Sequence, residues 1–262
     1  MADVDAVHAL ALQLAREAGA IQRVRYETVL AIESKSRPID LVTEVDRACE
    51  ALLVERLRRE RPHDDILAEE GGAHVDSGAA WRWIIDPLDG TVNFAHGYPC
   101  FAVSIGVELG GVRTVGVVYD PLRDECFDAV RTRGSRRNGR PIRVSGCDSV
   151  GRALLATGFA YDVRDTADDN LEAFGRAVKH AGGVRRDGSA AIDLCYVACG
   201  RFDGYWELKL HPWDVAAGIL IVEEAGGRVT DLGDAPVPAS GHEIVASNGR
   251  IHEALLRVLA NR

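Results

Sequence analysis

The stretch Trp83-Ile84-Ile85-Asp86-Pro87-Leu88-Asp89-Gly90-Thr91-Val92-Asn93-Phe94 decides how this chain is read. Its apolar opening has the look of a buried strand. Pro87 has no N–H to give to a ladder, so the strand is expected to stop at Asp86. Asp89, Gly90 and Thr91 then read as the opening of a helix, with Asp89 and Thr91 suited to capping it. Such a junction presents two carboxylates from one tight turn. It also aims the free N–H groups of the helix start at whatever lies in front of them, which favours an anion. Carboxylates beside an anion repel it unless hard cations stand between. The stretch therefore asks for Mg²⁺ and a phosphate together. A carboxylate that ends a strand this apolar must be paired, hydrogen-bonded or metal-bound, and no Lys or Arg lies within the stretch to pair with it.

Spacing bears on the chemistry. Phosphatases that form a phospho-aspartate carry D-x-D-G-T, and two Asp residues two apart in an extended chain put both carboxylates on one side. Asp86 and Asp89 are three apart, across Pro87. That spacing is not expected to place both on one side, which favours a water nucleophile held by metals over a covalent aspartyl phosphate.

The composition sets the frame. A chain of 262 residues, 47% apolar and 27% charged, is long enough for a substantial core and ordinary for a soluble globular protein. No apolar run approaches the ~20 residues that span a bilayer. The start, Met1-Ala2-Asp3-Val4-Asp5, is acidic and has no basic n-region, so a cytoplasmic location is expected. The net charge of −9 argues against nucleic-acid binding and suits a cation-requiring site, though a solvated acidic surface explains it as well. Cys49, Cys100, Cys126, Cys147, Cys195 and Cys199 form no C-x-x-C and complete no zinc pattern with His, so buried reduced thiols are expected.

Outward from the central stretch, the first half reads as two long helices and an antiparallel sheet. Val7, Leu10, Leu14, Ala18 and Ile21 recur in helical period between Asp5 and about Val29. Thr43 and Asp46 form a capping box that opens a helix running to about Arg61. Ile66–Ala68 is a short strand delivering Glu69 and Glu70, followed by a Gly-rich polar loop to Ala80. Residues 102–109 and 112–119 flank Gly110-Gly111 as a hairpin. Glu125–Val130 and Ile142–Val144 continue the sheet, around a basic loop from Arg131 to Arg140. The second half alternates strands and helices: strands at 153–157, 184–186, 202–207, 227–230 and 244–247, helices at 167–181, 189–198, 213–225 and 251–259. That alternation implies an α/β layered half. The expected halves are residues 1–146, with most metal ligands, and 147–262, with Asp214 and the substrate-alcohol pocket, joined as one compact catalytic unit.

The quoted stretch closely resembles the W-I-(I/V)-D-P-(I/L)-D-G-T-x-N-F signature of the inositol monophosphatase family. Trp213-Asp214-Val215-Ala216-Ala217-Gly218 is similar to that family's W-D-x-A-A-G. The resemblance extends along most of the chain. It implies an alternating α-β-α-β-α sandwich with an antiparallel N-terminal sheet and a mixed C-terminal sheet. It implies that Glu69, Asp86 and the carbonyl of Leu88 bind a first Mg²⁺, that Asp86, Asp89 and Asp214 bind a second, and that Glu69 helps to hold a third, weaker ion. By the same resemblance, Thr91 and Asp46 orient a water or take its proton, with Glu69 counted in the catalytic set. The N–H groups of Gly90 and Thr91 cradle phosphate beside Asp89 and Asp214. Glu207 accepts from substrate hydroxyls, the backbone of Gly188-Ser189-Ala190 lines the pocket, and Lys35 lies near the site. Taken singly, Asp46 could merely complete a capping box, Glu69 and Glu207 could be surface acids, Asp214 could be a favourable charge at a helix start, and Lys35 could be a surface lysine.

The activity implied is Mg²⁺-dependent hydrolysis of a small phosphorylated polyol, foremost myo-inositol 1-phosphate. Histidinol phosphate or fructose 1,6-bisphosphate are alternatives within the class, and 3′-phosphoadenosine nucleotides fit less well. An alternative of another class is an interaction protein in a bacterial transcription complex. The resemblance also implies a homodimer, with no membrane partner.

Overall fold

The structure is a computed structural model and describes residues 2–71 and 77–260. The Gly-rich loop expected after Glu70 falls partly on residues 72–76, outside the described residues. Helix α1 (Ala2–Arg25) is followed by a small antiparallel pair, β1 (Ile32–Ser34) and β2 (Leu41–Thr43). Thr43 then caps α2 (Glu44–Glu60): its Oγ1 accepts from Val45 N at 3.1 Å, and Asp46 Oδ2 accepts from Thr43 N at 2.8 Å. Strand β3 (Asp65–Ala68) lies parallel to β4 (Trp81–Asp89), and α3 (Thr91–Ala95) leads to the antiparallel strands β5 (Ala102–Leu109), β6 (Val112–Asp120) and β7 (Glu125–Val130). Strands β8 (Ser135–Arg137) and β9 (Arg140–Pro141) close a seven-stranded sheet of order β3-β4-β5-β6-β7-β8-β9, antiparallel except at the β3/β4 edge.

That last hairpin corrects the expected strand at Ile142–Val144, which does not form. The basic loop forms it instead. Asn138 (φ 50°) and Gly139 (φ 74°) supply the two left-handed residues of a tight hairpin turn, the turn that Asn-Gly favours.

The chain then builds β10 (Leu154–Thr157), α4 (Leu171–His180), β11 (Gly183–Arg185), α5 (Ala190–Ala198), β12 (Gly204–Leu208), α6 (Pro212–Glu224), β13 (Arg228–Thr230), β14 (Glu243–Ser247) and α7 (His252–Ala260). Its five-stranded sheet, β11-β10-β12-β14-β13, is mixed: β10 is parallel to both neighbours, and β14 is antiparallel to both of its own. Apolar side chains of α1 and α2 cover one face of the first sheet. Helices α5 and α6 fill the space between the sheets, and α4 and α7 cover the far face of the second. The order of layers is α-β-α-β-α, as the resemblance implies. Among the described residues no helix is long and apolar enough to cross a membrane.

Two local features aim the central stretch. First, β4 does not stop at Asp86. Asp86 faces Ser104 and Asp89 faces Ala102, so one extra residue on β4 is absorbed as a bulge. Pro87 lies inside that bulge, where its missing N–H leaves no gap in the ladder, and its carbonyl accepts from Gln22 Nε2 of α1 at 2.8 Å. Second, α6 lies almost on the backbone of the sheet. A Cβ at Gly106 would come within 2.7 Å of Ala216 Cβ, and one at Gly116 within 2.7 Å of Ala217 O. These two glycines let the start of α6, with Asp214, come close to the β4 bulge.

Gly106→Ala should cost about 1–3 kcal/mol through forced repacking. Gly175→Ala, inside α4 with nothing within 4 Å of the added carbon, should stabilise by about 0.5–1 kcal/mol. Urea denaturation of both variants checks the pair, and a neutral Gly106→Ala would contradict the close helix–sheet approach.

Candidate active site

The β4 bulge brings Asp86, Leu88 and Asp89 to one side of the sheet, at the mouth of a pocket that Glu69 (after β3), Asp214 (in α6) and Glu207 (in β12) also line. The expectation that a three-residue spacing separates Asp86 from Asp89 is therefore not met. The extra residue in the bulge turns both carboxylates into the same pocket, and the charge of Asp89 is felt at Asp86.

Each carboxylate of the cage uses one oxygen on a protein donor. Asp86 Oδ1 accepts from Leu88 N at 2.9 Å, Asp89 Oδ2 from Ala191 N at 2.9 Å, and Asp214 Oδ2 from His211 N at 2.7 Å. Ser189 Oγ also donates to Asp89 while capping α5. Asp89 does not cap α3, and neither does Thr91. Gly90 takes the cap position in a left-handed turn (φ 97°), and a Cβ there would come within 2.8 Å of Cys100 O. Thr91 is thus the first helical residue, and its hydroxyl lies 2.7 Å from Asp46 Oδ1 and 3.1 Å from Leu88 O. The other oxygen of Asp46 takes Thr43 N and, at 2.6 Å, Thr43 Oγ1. One oxygen of Asp46 completes the capping box and the other meets the Thr91 hydroxyl.

The cage is electrically uncomfortable. Burial, then the carboxylates of Glu69, Asp89 and Asp214, push Asp86 well above the usual carboxylate range. Burial and Glu69 do the same to Asp214. Asp89 is pushed by burial up to about 6, against the pull of the Ser189 and Ala191 donors. The lack of a basic partner read from the sequence is corrected at one member: Lys35 Nζ lies 2.7 Å from Glu69 Oε1 and also bonds Glu70. The lysine comes from the loop after β1, 34 residues away, beyond what local sequence shows.

The opposite wall differs. Glu207 Oε2 accepts from Tyr205 OH at 2.6 Å, and burial raises the Glu207 carboxyl to about 7. Gly188 and Ala190 line the pocket as expected, whereas the Ser189 side chain is buried against Asp89. Lys209 also lines the pocket, held by Asp162 at 3.0 Å. The sequence reading gave no role to Gln22 or Asn93. The Asn93 amide donates to Cys100 O, Asp187 O and Gly188 O at 2.8, 2.7 and 3.2 Å, tying α3 to the loop before α5. A polar Gln22 four residues after Ala18, on the apolar stripe of α1, was the signal available for the first.

An all-oxygen set of buried carboxylates, short of positive charge, suits a hard divalent cation such as Mg²⁺. Among the described residues no three such side chains stand as a finished chelate. The fit rests on donor chemistry: Asp86, Asp89 and Asp214 each accept from a backbone N–H and Glu69 meets an ammonium group, while Asp86 and Glu69 lie close enough to share a proton.

A layered sandwich that gathers acidic groups and helix starts into one pocket is the equipment of a phosphatase. The model of the inositol monophosphatase family matches residues 3–262, and the chain belongs to that family. It is 50% identical over 232 residues to the inositol-1-monophosphatase of Synechocystis, covering 88% of this chain and 81% of that one. It is 46% identical over 259 residues to the Nus factor SuhB of Pseudomonas aeruginosa, covering 95% and 94%. The solved inositol monophosphatase of Anabaena superposes with a TM-score of 0.89 at 44% identity, over 99% of this chain and 97% of that one.

Because Asp89 sits near 6 instead of its ordinary 3.8, its contribution to the stability of the cation-free fold is complete below about pH 3.8 and lost as pH rises through about 6. Cations favour the ionised form. At one fixed Mg²⁺ concentration, ~100 times its Kd at about pH 8, the rise in Tm should therefore grow from near zero at about pH 4 to roughly 5 °C at about pH 8. Calorimetry with and without EDTA checks this, and a pH-independent increment would refute the carboxylate cage as the ion's seat.

Proposed function

We propose that the chain hydrolyses phosphate monoesters of polyols, foremost myo-inositol 1-phosphate, with Mg²⁺ held by Glu69, Asp86, the Leu88 carbonyl, Asp89 and Asp214. The observation that carries this reading is the Asp46–Thr91 bond at 2.7 Å, beside the cage and at the start of α3. A buried hydroxyl anchored on a carboxylate can orient a water and pass on its proton, which a binding surface does not need. The high identity to a relative named inositol-1-monophosphatase supports the choice of substrate.

The residues divide the task as follows. Bound cations neutralise the cage and supply positive charge to the phosphate and the leaving oxygen. The N–H groups of Gly90 and Thr91, at the opening of α3, face the phosphate. Thr91 Oγ1, while donating to Asp46 Oδ1, accepts from the attacking water and so fixes its direction. Asp46 stays anchored by Thr43 through its other oxygen, and draws the proton along the Thr91 bond. Glu69, oriented by Lys35, completes the acidic side of the water's position. Glu207 accepts from the hydroxyls of the alcohol.

The relative named Nus factor shares nearly the whole length of the chain, and a role as an interaction protein is the second reading. The Asp46–Thr91 pair beside a cage that repels itself without cations favours the enzyme.

Two variants separate the roles. Asp86→Asn should abolish turnover and weaken Mg²⁺ binding, because Asp86 belongs to the cage. Asp46→Asn should lower kcat by about 100-fold or more with nearly the parent's Mg²⁺ affinity, because Asp46 acts through Thr91. Titration calorimetry beside kinetics decides, and equal loss of affinity in both would reverse the assignment.

On the alcohol side, Glu207→Ala should lower kcat/KM for inositol 1-phosphate by about 10- to 100-fold, the size of a charge-assisted hydrogen bond. Hydrolysis of p-nitrophenyl phosphate, which lacks a polyol, should barely change. If neither substrate responds, inositol is the wrong alcohol, and histidinol phosphate or fructose 1,6-bisphosphate should be assayed next.

A further inference from the structure

Glu207 is held from behind by residues that touch neither the cage nor the phosphate side. The carboxylate lies flat on Gly158, the first residue after β10. A Cβ built on Gly158 would fall 2.1 Å from Glu207 Oε2 and 2.2 Å from Oε1 and the carboxyl carbon. Any side chain at this position would push the Glu207 carboxylate out of its place. The Gly158 backbone does not itself require glycine, since its φ lies outside the left-handed region. The residue is there for the room it leaves.

Gly158 is in turn pinned by one amide. Asn170, 6% exposed, takes the position before α4 with a left-handed backbone, φ 65°. Its Nδ2 donates to Gly158 O at 2.8 Å and to Thr157 Oγ1 at 2.9 Å. Its Oδ1 accepts from Trp206 Nε1 at 2.7 Å, and Thr157 Oγ1 donates to Trp206 O at 2.7 Å. Trp206 is fully buried and is the residue before Glu207. The amide thereby fixes both sides of the contact: the glycine against which the carboxylate lies, and the strand residue from which it springs. It does nothing for its own helix, for the side chain makes no cap hydrogen bond to α4. The left-handed backbone at Asn170 is what makes α4 begin at Leu171 and not at the expected Ala167. On the pocket side, Glu207 has Oε2 occupied by Tyr205, and Oε1 has no hydrogen-bond partner among the described residues. Oε1 is thus the oxygen of Glu207 left open to a hydroxyl donor in the pocket.

We propose that Gly158 and Asn170 are positioning residues for alcohol recognition: together they set the place of the Glu207 carboxylate and so select alcohols that present hydroxyl donors to it. The inference rests on the proposed function for its substrate. Hydrolysis itself is unaltered: the oxygen of water forms the new bond to phosphorus, the ester P–O bond breaks, and a proton of the water ends on the leaving alcohol oxygen. Only the hold on that alcohol depends on the Gly158–Asn170 unit.

The test compares the parent with Gly158→Ala, Asn170→Gly and the double variant Gly158→Ala/Glu207→Asp. Asn170→Gly keeps the left-handed backbone and removes the amide. Gly158→Ala leaves every Asn170 hydrogen bond in place and only displaces Glu207, so the two variants reach the same contact by different routes. With Mg²⁺ present, each single variant should lower kcat/KM for inositol 1-phosphate about ten-fold or more, through KM. Turnover of p-nitrophenyl phosphate should stay within about two-fold of the parent, which also certifies the fold. The shorter side chain of the double variant makes room for the added methyl and should recover part of the loss. A second readout is the ¹³C titration of the Glu207 carboxyl, whose midpoint should lie near 7 in the parent and move in both single variants. Parallel loss on both substrates, or unchanged kinetics with an unmoved midpoint in an active enzyme, would overturn the proposal. A parent that cleaves no phosphate ester, with a midpoint that still moves in the variants, would remove the proposed function and leave the positioning intact.

Discussion

Like charges that share one pocket are the constraint on which the rest of this structure depends. Glu69, Asp86, Asp89 and Asp214 line one pocket, and burial already disfavours the ionised forms of Asp86, Asp89 and Asp214. The fold offsets part of the repulsion with what a polypeptide has available. Asp214 and Asp89 are hydrogen-bonded to backbone N–H groups at the openings of α6 and α5, where the helix dipole is positive. Lys35 is brought across from the loop after β1 to Glu69. These devices leave a deficit of positive charge in the pocket, and a divalent cation is the natural supplement. The same deficit makes the site hospitable to a phosphate only once the cations are there.

The devices that ease the repulsion also join the layers. Asp89 leaves the first sheet and ends on Ser189 and Ala191 at the start of α5, between the sheets. Asn93, a few residues on, reaches Asp187 and Gly188 of the same loop. Gly106 and Gly116 admit α6 to the same end of the pocket, so that Asp214 arrives beside Asp86 from a helix lying directly on β5 and β6. The cage is thus completed only when the first sheet and the central helices are packed. Ion binding should feed back on the packing of the whole sandwich, because a ligand that prefers the packed form stabilises it by mass action.

Legibility in the sequence followed the range of the interaction. The capping box of Thr43 and Asp46 was readable because both partners lie within one helical turn, and the layer order because strand and helix periods differ. The long motif around Asp86 gave the family, and with it the residues that line the pocket. Where the reading failed, a distant partner or a local compensation had decided. Pro87 does not end β4, since a bulge takes its missing donor out of the ladder. Thr91 does not cap α3, since Cys100 O forces a left-handed glycine at the preceding position. Lys35 was expected near the site from the resemblance alone, since its meeting with Glu69 spans 34 residues and no local spacing signals it. The Asn138-Gly139 hairpin was the exception, a short-range signal present in the sequence and passed over in favour of a surface loop.

The two ends of the pocket stand on different foundations. The cage rests on the β4 bulge and on the first turns of α5 and α6. The alcohol wall rests on β10 and β12 of the second sheet, through Gly158, Trp206 and the Asn170 amide. Changes at positions with no shared partners combine nearly independently. A substitution behind Glu207 can therefore alter which alcohol is held while the cation-binding groups and the Asp46–Thr91 bond stay where they are. Charge links the two ends in both directions: Asp89 of the cage is felt at Glu207, and Glu207 at Asp214, each disfavouring ionisation of the other group. A cation that neutralises Asp89 should thus also make Glu207 a better acceptor at neutral pH. In that direction the phosphate end prepares the alcohol end, through charge and without any movement of the fold.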